Sequence, residues 1–125
     1  MAIKILYVED NTDSAAFLRV LLHSDECEVH LAETMAEGLQ LAQTGGFHLY
    51  IVDHSLPDGT GVELCQKIKQ FDVHTPVVFF SALGSKALVS RALAAGAHAY
   101  LIKPLGLEEL KQIVARLLAA QGDVS

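Results

Sequence analysis

Three carboxylates, a hydroxyl and an ammonium stand out in this chain because each closes a short apolar run. KILYVED ends on Glu9 and Asp10, LYIVD on Asp53, PVVFFS on Ser81 and AYLIKP on Lys103. Together such groups could hold a divalent cation and handle a phosphoryl group. Three ionised carboxylates brought within a few ångströms repel, each close pair costing about 4 kcal/mol at an effective dielectric of about 20. Raised pKa values or a bound cation would relieve that repulsion. Magnesium takes hard oxygen ligands and keeps several of its waters. Asp10 and Asp53 would ligate it directly, Glu9 would hold a metal-bound water, and the backbone carbonyl of Ser55 is a further candidate ligand. A carboxylate beside such a cation can attack phosphorus and form an acyl phosphate, which assigns Asp53 as the acceptor. Phosphoryl transfer rests mainly on positioning and charge neutralisation. Lys103 would supply a positive charge to the phosphoryl oxygens, and Ser81 a hydrogen bond.

Each residue also has a plainer role open to it. Asp10 could cap a helix, Asp53 could be a turn aspartate as Asp58 before Gly59 is, Ser81 could cap and Lys103 could be solvated. A lysine between the apolar pair Leu101-Ile102 and Pro104 is nevertheless an unusual place for a solvated charge. The Lys103-Pro104 step also invites a cis peptide bond.

The elements that would position these groups alternate between strand and helix five times. Continuous apolar runs read as strands buried on both faces, the habit of parallel sheets. CEVHLA alternates Cys27, Val29 and Leu31 with polar residues, as an edge strand should. Helices are expected over about 12–24, with Asn11 or Asp10 as N-cap and Ala15, Leu18, Leu21 and Leu22 inward, and from Thr34-Glu37 to Gly45-Gly46. A third helix opens at Thr60-Glu63 and buries Val62, Cys65 and Ile68; a fourth spans about 85–95 and a fifth about 107–120. The expected fold is α/β, a flavodoxin-like doubly wound (βα)5 three-layer sandwich with parallel strand order 2-1-3-4-5. There the first and third strands flank the switch point, so Glu9, Asp10 and Asp53 would meet.

The 125 residues make one domain, with 1–121 folded and 122–125 a tail. A net charge of −6 and the lack of any Lys/Arg cluster argue against direct nucleic-acid binding. No apolar stretch is long enough to span a bilayer and no signal-peptide pattern opens the chain, so the reading is a cytoplasmic domain without membrane contact. Cys27 and Cys65 are read as reduced thiols, and the six histidines show no metal-ligand spacing.

With these residues in place, the chain resembles the receiver domain of two-component response regulators, the CheY-like family, over roughly residues 2–120. The acidic pair Glu9-Asp10 matches the family's magnesium-binding pair. Asp53 in DHSLPDGTG matches the phosphoacceptor within the D-x-x-[ML]-P-x-x-[ST/D]-G pattern. Ser81 followed by Ala82 matches the switch hydroxyl, Lys103-Pro104 the lysine step, and Tyr100 the aromatic switch position. The departures are serine for the commoner threonine at 81, glutamate for aspartate at 9, apolar Leu83, which would slow access of hydrolytic water, and His54, expected as an outward turn residue.

The resemblance implies Mg2+ (or Mn2+) as cofactor, and a sensor histidine kinase or histidine phosphotransfer protein as donor. It also implies a two-state switch in which phosphorylated Asp53 draws in Ser81, Tyr100 turns inward, and the face of the fourth helix, fifth strand and fifth helix changes for a downstream protein or output domain. Phosphorylation-dependent homodimerisation is compatible with it. Such a domain assists its own phosphorylation and dephosphorylation but is not an enzyme in the turnover sense. It occurs alone or as part of a larger regulator or hybrid kinase. The alternative is a phosphorylation-independent interaction module on the same fold; a D-x-D phosphatase and a flavodoxin-like cofactor protein lack their motifs here.

Overall fold

The computed structural model describes residues 2–104 and 106–122. Strands β1 (Ile3–Val8), β2 (Cys27–Ala32) and β3 (Leu49–Val52) alternate with helices α1 (Thr12–Leu22) and α2 (Met35–Gln43). A two-residue hairpin follows, β4 (Ser55–Leu56) and β5 (Gly59–Thr60), and then α3 (Gly61–Lys69). The chain continues through β6 (Val77–Ser81), α4 (Lys86–Ala94), β7 (Ala99–Ile102) and α5 (Leu107–Gly122). The main sheet is parallel throughout, in the order β2-β1-β3-β6-β7. Counting only its own strands, this is the expected 2-1-3-4-5.

The helix starts follow from their caps. Asn11, not Asp10, caps α1, its Oδ1 accepting the Ser14 N–H at 2.9 Å. Thr34, Thr60 and Ser85 accept from the third residue of α2, α3 and α4. Gly45, Gly46 and Gly96 take positive φ where α2 and α4 end. Helix α5 reaches Gly122, one residue into the expected tail, whose remainder lies outside the described residues.

The sheet divides the core in two, because successive strand residues face opposite sides. Ile5, Tyr7, Ile51 and Phe80 pack with α1 and α5. Leu6, Val52 and Phe79 pack with α2, α3 and α4. Full burial of a side chain such as Leu18 or Leu64 stabilises by about 1.5–3 kcal/mol. Two inward assignments need correcting. Leu21 is 39% exposed, because the α1 stripe closes on Leu18 and Leu22. Val62 is only half-buried, because α3 turns Leu64 into the core beside Cys65 and Ile68. Cys27 and Cys65 are buried free thiols, and burial raises both.

Candidate functional site

Backbone pairing at the carboxyl ends of the strands assembles the cleft. The Glu9 N–H donates to Ala32 O at 2.8 Å, and the Asp53 N–H to Val8 O at 3.1 Å. Asp53 is thereby held beside Glu9. On the far side the Lys103 N–H donates to Ser81 O at 2.9 Å, locking the ends of β6 and β7 together. Lys103 Nζ reaches back across the gap, donating to Glu9 Oε1 and, at 3.3 Å, to Asp53 Oδ2. The peptide bond between Lys103 and Pro104 is cis, as the step suggested. A cleft of about 390 Å³ opens over these groups, and Asp10, Ser55, Ser81 and Leu83 also line it.

Glu9 is 2% exposed and nearly saturated. Its Oε1 also accepts the Tyr7 hydroxyl at 3.2 Å, and its Oε2 accepts the Asn11 N–H at 3.2 Å. Burial pushes its carboxyl above the usual carboxylate range; the Lys103 ammonium opposes the rise, and a hydrogen bond with Asp53 adds to it. Burial acts on Asp53 in the same upward sense. Hydrogen bonds from Glu9, Ser81 and Lys103, with the Lys103 charge, outweigh it and hold Asp53 below its ordinary value. The two neighbouring carboxyls are thus shifted in opposite directions, Glu9 up and Asp53 down. Ser81 suits this arrangement: its oxygen accepts the Leu83 N–H at 3.2 Å, leaving the hydroxyl proton for Asp53.

The remaining expected residues fall as follows. Asp10 lies exposed at the cleft rim. Tyr100 stacks on Phe79 with ring centroids 5.4 Å apart, and its hydroxyl donates to Leu83 O. Its ring thus packs against the core on one side and stays half-buried. His54 is not an outward turn residue. It is 8% exposed, with its ring 6.5 Å from that of Phe79. It follows Val52 by two residues and so shares that inward face. Its Nδ1 has no hydrogen-bond partner among the described residues.

The donors present fit magnesium. All are hard oxygens, and three carboxylates outnumber the single ammonium among them. Among the described residues no three acidic, His or Cys side chains converge closely enough to hold an ion by themselves. The Ser55 carbonyl and water would complete the coordination of Asp10 and Asp53.

Two further residues of the site escaped the sequence. Tyr7 lies on β1 two residues before Glu9, which directly follows that strand, and so points to the same side. Asp58 accepts the Met35 N–H at 2.7 Å and the Ala36 N–H at 3.0 Å, joining the hairpin after Asp53 to the start of α2. Nothing in the local sequence signals a partner more than twenty residues away.

Five parallel strands in this order, with a carboxylate–hydroxyl–lysine cleft at their carboxyl edge, define a CheY-like (βα)5 domain. The response regulator receiver domain family matches residues 5–115, and the chain belongs to it. It is 40% identical over 116 residues to the KDP operon transcriptional regulatory protein KdpE of Escherichia coli, covering 93% of this chain and 50% of that protein. It is 36% identical over 115 residues to the response regulator protein PilR of Pseudomonas aeruginosa, covering 92% of this chain and 26% of that protein. The chain thus spans between a quarter and a half of the length of these relatives. A two-component response regulator from Clostridium difficile superposes with a TM-score of 0.86 at 29% identity, covering 94% of this chain and 96% of that one. The chemotaxis protein CheY4 of Vibrio cholerae superposes at 0.85 with 26% identity, covering 94% and 99%. No described helix is long and apolar enough to cross a membrane.

Proposed function

We propose that the chain is a phosphorylation switch in which Asp53 accepts a phosphoryl group from the phosphohistidine of a sensor histidine kinase or histidine phosphotransfer protein. The observation that carries this reading is Lys103 Nζ bridging Glu9 and Asp53 beneath an open cleft. An Asp53 oxygen forms the new bond to phosphorus as the phosphorus–nitrogen bond of the donor breaks, and the freed imidazole nitrogen takes up a proton. Lys103 meets the phosphoryl charge and Ser81 donates to a phosphoryl oxygen. Mg2+ or Mn2+, held by Asp10, Asp53, the Ser55 carbonyl and, through water, Glu9, would neutralise charge on the transferring group. The domain promotes its own phosphorylation and dephosphorylation and turns over no separate substrate.

The output follows from Ser81. Drawn toward the phosphoryl group, it releases Leu83 N and with it the loop whose carbonyl holds Tyr100. That resets the face of α4, β7 and α5 for a downstream protein or output domain, or for a second phosphorylated copy. A net charge of −6 favours protein partners over direct nucleic-acid contact. The whole unit, residues 1–121, acts as one cytoplasmic receiver.

Intact mass after incubation with acetyl phosphate, with and without Mg2+, tests the reading. One phosphoryl adduct is expected that requires Mg2+, is labile to hydroxylamine and is absent from Asp53→Asn. No adduct from acetyl phosphate or from a phosphorelay donor, on a folded chain, would make the domain a phosphorylation-independent interaction module.

A further inference from the structure

Asp10, Asp53 and Ser55 lie on three different segments, so a cation could bridge them only if those segments hold a common frame. Two of the ties are backbone pairs already described: Glu9 N to Ala32 O fixes the acidic pair to the end of β2, and Asp53 N to Val8 O fixes the acceptor to β1. The third segment is the hairpin carrying Ser55. It closes on itself through the Ser55–Thr60 pairing and the Gly61 N–H to His54 O bond of 2.8 Å. Leu56 sinks into the core on one side, and the polar anchor is Asp58, whose two carboxylate oxygens take the first two N–H groups of α2 at 2.7 and 3.0 Å. Helix α2 starts three residues after Ala32, so this anchor leads back to the frame that holds Glu9 and Asp10. Gly59 lies beside the same helix start, where a Cβ would come within 2.9 Å of the end of the Met35 side chain.

We propose that Asp58 is a positioning residue for the divalent cation, holding the Ser55 carbonyl in register with Asp10 and Asp53 through the start of α2. The inference rests on the metal site of the proposed function. It differs from a helix-capping role, because α2 has a separate cap in Thr34, which accepts the Glu37 N–H at 3.0 Å. Loss of either residue weakens the helix start, but only loss of Asp58 removes the hairpin's tie to α2.

The test is a calorimetric Mg2+ titration of the unphosphorylated chain, with urea unfolding of each variant alongside. Asp58→Ala and Asp58→Asn are expected to weaken Mg2+ binding about tenfold, the scale on which second-sphere partners of metal ligands act. In Asp58→Asn an amide NH2 would confront one of the two helix N–H groups. Thr34→Ala, destabilised in urea, should keep wild-type affinity. Unchanged affinity in both Asp58 variants would overturn the proposal, as would an equal loss in Thr34→Ala. A wild-type chain that does not take up Mg2+ would overturn the metal site itself, and the role of Asp58 with it.

Discussion

Glu9 is the residue at which folding and function pull apart. Its carboxyl is raised by burial despite the Lys103 ammonium, so the folded chain keeps that proton at pH values where the unfolded chain has released it. From the ordinary value of 4.5 up to the raised value in the folded chain, rising pH therefore removes stability through Glu9, and above that the loss is complete. Asp53 has the opposite sign: its lowered pKa contributes stability that is present at neutral pH and lost as pH falls through the acid range. Glu9→Gln removes the desolvated charge and keeps one oxygen, which can accept from Tyr7 or from Asn11 but not from both. Its urea midpoint should exceed that of the wild type at pH 8 and converge toward it near pH 4, while its Mg2+ requirement for phosphorylation rises. A lower midpoint at pH 8 would mean that the Lys103 pairing outweighs desolvation. The acids, Ser81 and Lys103 are legible in the sequence because each interrupts an apolar run with a group whose charge or hydrogen bonding needs a reason. His54 and Asp58 are not, because the first is buried by a hairpin too short to show a period and the second acts on a helix distant in sequence.

Helix and main-strand boundaries are legible to within a few residues, since caps, glycines and apolar runs are local signals. The hairpin of β4 and β5 is the element that the sequence hides, although it carries the candidate ligand Ser55. Two-residue strands have no alternation to read, and DHSLPDGTG shows only that the chain turns. The hairpin returns at Gly61, the first residue of α3, where the chain passes close over Asp53. A Cβ at Gly61 would run into the Asp53 carbonyl and come within 2.8 Å of the Phe79 ring. Neither neighbour is a flexible side-chain end, so the substitution must move the backbone that carries the acceptor. Gly61→Ala should cost about 2 kcal/mol in urea unfolding and slow phosphorylation by acetyl phosphate. Gly45→Ala is the comparison, because its Cβ would meet nothing and its cost comes from positive φ alone. It should leave the phosphorylation rate unchanged. Wild-type stability and rate in Gly61→Ala would show that the turn accommodates the methyl and that Asp53 is not held from below.

Across the whole molecule the two cores are unequally shared among the helices. Helix α1 commits Ala15, Leu18 and Leu22, and α3 commits Gly61, Leu64, Cys65 and Ile68, whereas α4 buries only Ala92 and leaves Leu93 49% exposed. Sequence composition hints at this, because SKALVSRALAAGA offers mostly alanine, but alanine also simply favours helix. Only the packing separates the two explanations. A helix held by one small buried residue opens locally at low free energy, since little apolar area is exposed when it lifts. It also lies next to the ends of β6 and β7, where Ser81, Leu83 and Tyr100 connect the cleft to the surface. Hydrogen exchange of the unphosphorylated chain should therefore show α4 amides opening more readily than those of α1 and α3. On phosphorylation, chemical-shift changes should gather on α4, β7 and α5. Protection in α4 equal to that in α3 would place the movable element elsewhere. Shift changes confined to the α1 side would instead mean that the phosphoryl signal leaves the cleft through the other core.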